Sequence, residues 1–196
     1  MLAAWKAGSR LDRNLMILAV LGFATPGFWL AFLTIWVFAV NLGWFPVIGY
    51  KPIQDGLIPH LHSMFLPVMV NSILASAFIS RITRSAMLEV LREDYIRTAR
   101  AKGASEFSVF IRHAFRPSAI PVATVIGASI AGLATGFVLT ETIFAIPGLG
   151  RMLVDSIVRR DYPIIQALLM VVATVLIAVN LIVDILYAYI DPRIRY

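Results

Sequence analysis

The 196-residue chain contains no cysteine, which excludes a disulfide framework and any thiolate metal site. It is also short of charge, at 14% Asp, Glu, Lys and Arg, where soluble domains carry about 25%. With a mean hydropathy of +0.84 it does not read as an ordinary soluble domain. The signatures of several chemistries are missing too. "AKGAS" at 101–105 lacks the Gly-x4-Gly-Lys-Ser/Thr spacing of a nucleotide loop. No His-Glu-x-x-His or Gly-x-Ser-x-Gly occurs. His60-x-His62 has no Cys, Asp or Glu at ligand spacing, so the pair reads as exposed loop histidines. A membrane-embedded enzyme is therefore disfavoured, no cofactor is expected, and the chain is not expected to hydrolyse ATP itself. There is no internal repeat, low-complexity tract or flexible linker. Met1–Arg13 is basic and short, but the apolar run after it is too long for a signal-peptide core and has no clear cleavage site.

What the chain has is long apolar runs. A membrane span needs about 20 apolar residues, and four stretches qualify: 14–40, 61–80, 117–140 and 164–190. Pro26-Gly27 is expected to kink the first midway. Trp44, Phe45 and Tyr50 follow it as a headgroup-level aromatic belt. The expected fold is all-α, a polytopic integral membrane helix bundle with four transmembrane helices in a single domain, 1–196. A pI near 10.1 raises nucleic acid as a partner, but the charge sits in short loops between apolar runs, where it sets topology instead. Four spans place thirteen of the seventeen basic residues on one side. They are Lys6, Arg10 and Arg13, then eight between Arg81 and Arg116, then Arg193 and Arg195. Lys51, Arg151, Arg159 and Arg160 fall on the other. The positive-inside rule puts both termini of this chain, and the loop between spans two and three, in the cytoplasm.

That loop, "REDYIRTARAKGASEFSVFIRHAFRP" at 92–117, holds nine of the 28 charged side chains. Its pattern is helix, break, helix. Glu93 and Asp94 at the start and Arg97, Arg100 and Lys102 at the end suit the helix macrodipole, and Glu93 with Arg97 makes an i,i+4 pair. Gly103 supplies a stop, Ser105 a cap, and Glu106 a first-turn acid. Phe107, Phe110, Ile111, Ala114 and Phe115 share an apolar face at helical spacing. Pro117 leads into the third span. A solvated connector explains the charge but not this organisation, so a docking element for a cytoplasmic partner is the preferred reading.

Other polar features are weighed more conservatively. Ser72, Ser76 and Ser80 recur along the second span; close helix packing is preferred over a pathway role, which stays open for Asn71, Ser72 and Ser76. "GLATG" at 132–136, with Ala128 a turn earlier, is a helix-packing signal. Asn180, Asp184, Tyr187 and Asp191 share one face of the last span. Asp184 lies about 9 Å from its inner end, so a structural pairing is expected there, with Asp191-Pro192 closing the helix. Residues 149–159 form an amphipathic segment after the "PGLG" turn, with Leu149, Met152, Leu153 and Ile157 on one face, suited to lying in the outer interface.

"DYIRTARAKGASEFSVFIRHAFRPS" resembles the cytoplasmic loop of permease subunits of binding-protein-dependent ABC importers, most closely the dipeptide/oligopeptide/nickel branch. The resemblance continues through "ETIFAIPGLGRMLVDSIVRRDYP" and "NLIVDILYAYIDPRIRY", and reaches back to "RSAMLEVLREDY" and "GWFPVIGY". It implies an ABC type I importer permease-like fold in a bacterial-type inner membrane. It further implies that 92–117 is a coupling loop seated on an ATPase subunit, with Ala99 and Gly103 at the family's Ala and Gly positions. Arg97, Arg100, Lys102 and Glu106 complete the implied coupling set. Arg97 stands where the broader motif has Glu, and Pro117 comes one residue late, departures typical of the peptide branch. The implied partners are two cytoplasmic ATPase subunits, a second permease and an external substrate-binding protein, with no nucleic acid. The implied activity is ATP-driven, alternating-access import of peptides or nickel complexes. By the same resemblance the chain starts in a cytoplasmic loop and lacks the family's first spans, which leaves a non-transporting remnant as one alternative. A secondary transporter is the other, and it would need midplane carboxylates that neither Asp184 nor Glu141 supplies.

Overall fold

The computed structural model describes residues 2–135 and 138–190. Among these every regular element is helical: α1 Leu2–Trp5, α2 Arg10–Ala24, α3 Gly27–Thr34, α4 Leu57–Val90, α5 Asp94–Ala101, α6 Glu106–Ser108, α7 Arg116–Thr135, α8 Val138–Ile143, α9 Leu149–Arg159 and α10 Tyr162–Ile190. Two π-helical turns, Ile35–Asn41 and Val109–Phe115, continue α3 and α6. Three helical stretches are long and apolar enough to cross a membrane, Leu57–Val90, Glu106–Gly132 and Tyr162–Tyr187, or four if the bent pair Arg10–Ala24 and Gly27–Asn41 is one span.

That pair departs from the expected kink. Its helices meet at 101°, close to a right angle. Proline has no N–H to donate and disfavours helical geometry at the residue before it. Pro26 takes φ −59°, ψ 132° and serves as the N-cap of α3, so one helix ends and another starts where a single bent one was expected. By contrast α4 passes through Pro67 without ending.

The chain forms two compact units, one from Met1–Gly22, Ser76–Ile130 and Ala178–Tyr196, the other from Phe23–Ala75 and Ala131–Ile177. The first has a core of Ala4, Met87, Ile96, Val109, Phe110 and Ala114. Burying side chains such as Met87, Ile96 and Val109 away from water contributes about 1.5–3 kcal/mol each. In the same unit α7 and α10 approach closely at Gly127, where a Cβ would lie 2.3 Å from Val183 Cγ2. The hydroxyls of Thr124 and Tyr187 are hydrogen-bonded across that seam. Close approach therefore falls at Gly127, beside the Ala128 singled out from sequence; Gly136 lies outside the described residues. Asp184 and Asn180 are exposed, and Asp184 makes no ion pair with a described residue, so the expected structural pairing is not found. Asp191 and Pro192 lie outside the described residues.

The second unit packs Ala31, Ile35, Leu66, Val70 and Phe144 together. Its aromatic belt is a cluster: Phe45 stacks on Phe65 at 4.4 Å, and Trp44 lies 6.1 Å from Phe38. Here too Glu141 meets the start of α9, where its Oε2 accepts the Arg151 N–H at 2.8 Å. A carboxylate at a helix N-terminus satisfies an orphan donor and complements the dipole. Gly148 makes room for it, since a Cβ there would lie 2.2 Å from Glu141 Cδ. The glycine of "PGLG" is thus needed for space. Gly148→Ala is expected to destabilise the detergent-solubilised protein by about 1–3 kcal/mol through overpacking. It should do little on a Glu141→Ala background, and thermal unfolding of the four variants checks the cycle. On α9 itself Met152 and Ile157 are exposed while Leu149 and Leu153 are half-buried, so the apolar face is only partly covered by the described chain.

Candidate functional site

The loop between α4 and α7 is built as a tight double helix-turn. α5 begins after Glu93, which is extended and caps nothing through its side chain. Arg97 Nη1 donates to Asp94 at 3.2 Å, so the pairing is i,i+3 with Asp94, where the sequence suggested Glu93. Both groups are well exposed, and such a pair contributes about 0–1 kcal/mol. At the other end the Gly103 N–H donates to Arg100 O at 2.9 Å and the Ala104 N–H to Ala99 O at 3.1 Å. These are the two bonds of a Schellman motif, which requires a left-handed residue just past the helix; Gly103 supplies it with φ +82°. Ser105 then caps the next helix by accepting the Ser108 N–H at 3.3 Å.

The turn is braced by Arg100, whose Nε and Nη2 donate to the two carboxylate oxygens of Glu106 at 2.8 and 3.2 Å. The pair spans the break and holds the arms in one geometry. Arg100 and Glu106 therefore face each other first, and Lys102 is the coupling-set cation that makes no ion pair with a described residue. Arg97, Lys102, Gly103 and Phe107 are exposed on the loop, while Ala99 is half-buried. Burial, with the charge of Glu93 behind it, raises the pKa of the Tyr95 phenol above its ordinary value.

The expected apolar face is redrawn. Phe110 and Ala114 are buried, and so is Val109, absent from the sequence reading; Phe107, Ile111 and Phe115 are exposed. The cause is the π-helical turn at Val109–Phe115. Closing i→i+5 bonds rather than i→i+4 changes the rotation per residue, so the 3.6-residue register fails through this turn.

A second component had no part in the sequence reading. Ala4 is buried in the loop's core, and the Trp5 ring lies 4.9 Å from Phe110 and 6.0 Å from Phe107. Asp12, only 3% exposed, takes a bidentate pair from Arg84 of α4. The sequence marks it only by a lone acid among three basic residues before an apolar run, and the positive-inside rule counts only Lys and Arg.

The pathway candidates are placed on α4. Asn71 donates from Nδ2 to Pro67 O at 3.0 Å and accepts from Thr140 Oγ1 at 3.2 Å, so its side chain is engaged in holding helices together. Ser72 and Ser76 are exposed one turn apart on α4. His60 Nδ1 meets Lys51 O at 2.7 Å and His62 Nε2 meets Trp44 O at 2.8 Å, each ring nitrogen donating to a carbonyl. Among the described residues no group of three or more His, Cys, Asp or Glu is arranged to hold a metal.

Comparison with known proteins decides what kind of chain carries this loop. Residues 1–196 match the family model of the binding-protein-dependent transport system inner membrane component. The chain belongs to that family. It is 47% identical to a probable peptide ABC transporter permease protein of Sinorhizobium fredii, over all of this chain and 62% of the relative. It is 42% identical to the dipeptide transport system permease protein of Alkalihalophilus pseudofirmus, over 99% of this chain and 64% of that one. The oligopeptide transport system permease protein of Bacillus subtilis is also 42% identical, over 100% and 62%. The chain thus spans less than two thirds of these relatives' length. The relatives are named as transport permeases, not enzymes, and the family places the chain among multi-pass inner-membrane proteins.

Proposed function

We propose that this chain is part of the permease subunit of an ATP-driven importer for peptides, and that residues 92–117 receive force from a partner ATPase. The observation that carries this is mechanical. From Glu106 to Thr135 the chain runs as helix without a break, so the loop and the third span are one lever. On the other side only Leu91–Glu93 separate α4 from α5. Ser118 Oγ donates to Met87 Sδ at 2.8 Å, tying the base of α7 to α4. A push on the exposed side of this knob moves two spans together, which is what alternating access requires of a coupling element. Arg97, Lys102 and the braced Arg100–Glu106 pair set charge register with the partner, Gly103 shapes the turn, and Ala99 keeps it compact.

In this reading both ends of the chain are cytoplasmic, as the positive-inside rule directs. The spans are those of 14–40, 61–80, 117–140 and 164–190. Two ATPase subunits, a second permease and an external binding protein complete the assembly. The relatives' names favour dipeptides or oligopeptides over nickel complexes as cargo. Ser72 and Ser76, exposed on α4, face a second subunit or the peptide path.

Affinity isolation of the protein from detergent-solubilised native membranes, with mass spectrometry of everything retained, tests the proposal. An ATPase and a second permease are expected in the eluate, and ATP-dependent peptide uptake after reconstitution. Recovery of the protein alone, or uptake driven by an ion gradient without ATP, overturns it.

A further inference from the structure

The segment before the first apolar run is tied down at two separate places. At its start Ala4 is buried with Ile96, Val109 and Phe110, and Trp5 covers Phe110 and Phe107 of the loop. Seven residues later Asp12 receives Arg84 Nε at 2.6 Å and Nη2 at 2.7 Å. The same carboxylate accepts the Gly8 N–H at 2.9 Å, with Gly8 at φ +80°, and Ser9 Oγ accepts the Asp12 N–H at 3.2 Å. The side chains of Asp12 and Arg84 are 5% and 26% exposed. A bidentate pair of this kind fixes direction as well as distance. Removing either member strands the other, largely desolvated, without its partner.

We infer that residues 2–13 are a strut of the coupling loop: Trp5 seats the segment on the loop, Asp12 latches it to α4 through Arg84, and together they carry the loop's movement into α2. The inference rests on the reading of 92–117 as the ATPase-docking element. Its physical basis is continuity. α2 starts at Arg10 and runs unbroken to Ala24, so a displacement of the Asp12–Arg84 latch displaces that whole helix. Without the strut, a push on the loop would enter the bundle through α4 and α7 and would not be carried directly into α2. With it, a third helix moves in the same stroke. Asp12 and Arg84 are positioning residues in this scheme, touching neither cargo nor nucleotide.

The test uses the wild-type complex with its ATPase, by hydrogen exchange without nucleotide and with ATP plus vanadate. Amides of residues 3–15 are expected to change protection together with those of 94–108. Change at 94–108 with none at 3–15 overturns the strut alone. No change at 94–108 overturns the docking reading, and the strut with it. In parallel, Asp12→Asn is expected to retain the ATPase yet lower peptide taken up per ATP hydrolysed by at least about fivefold, the lower range of ordinary coupling energies. Asp12→Glu should recover part of the ratio. An unchanged ratio in Asp12→Asn overturns the inference. If Asp12→Asn does not accumulate in the membrane, the wild-type exchange experiment decides alone.

Discussion

Gly103→Val is expected to strip the ATPase from the isolated complex and to remove uptake, whereas Gly103→Asn keeps most of both. A Cβ at this position meets nothing within 4 Å, so crowding within the chain is not the reason. The reason is φ +82°. Holding an ordinary L-residue in the left-handed region costs about 1–2 kcal/mol, and a β-branched side chain fits it worst; asparagine is among the residues that tolerate it. With valine, the Gly103–Arg100 and Ala104–Ala99 bonds and the Arg100–Glu106 brace can all be kept only under strain. A penalty of about 1–2 kcal/mol corresponds to roughly a 5- to 30-fold loss of the docking-competent loop. Quantified co-isolation and uptake in the two variants check this. Full ATPase retention by Gly103→Val would mean that the turn is not read by a partner.

The second large effect belongs to the α7–α10 seam. Gly127→Ala places a methyl 2.3 Å from Val183 Cγ2, a separation that real Cβ atoms do not tolerate. The helices must part or Val183 must turn, at an overpacking cost of about 1–3 kcal/mol. Lipid supplies no hydrophobic drive to hold helices together, so close packing of small residues is the main attraction such a seam has. At about 2–4 °C per kcal/mol for a chain of this size, Gly127→Ala should lower the unfolding temperature in detergent measurably. Val183→Ala in the same chain makes room and should restore much of it. Simple additivity of the two substitutions would show that they do not meet.

Much of the 92–117 loop was legible because its signals are local. Gly103 after Arg100 and Lys102, then Ser105 and Glu106, mark a stop and a start within four residues, and backbone capping needs nothing from afar. The same locality explains what failed. The face drawn through Ile111 and Phe115 assumed a 3.6-residue period, and the π-helical turn at Val109–Phe115 breaks it. Glu93 was paired with Arg97 on spacing alone, but it lies outside the helix and Asp94 takes its place. Asn71 looked like a polar group available to cargo, yet Thr140 and Pro67 occupy it.

The amino-acid sequence determined the membrane class, the presence of long apolar runs, the gathering of basic residues in the segments between them and the helix–turn–helix character of 92–117. Each of these depends on composition, on windows of about 20 residues, or on capping within one turn. Only the tertiary structure decided that the first apolar run turns through 101° at Pro26, that Gly127 and Gly148 are needed for space, and that Asp12 finds Arg84. Those outcomes depend on contacts between residues as far as 72 positions apart. A carboxylate or a glycine carries no mark in the sequence of which distant side chain will come to lie against it.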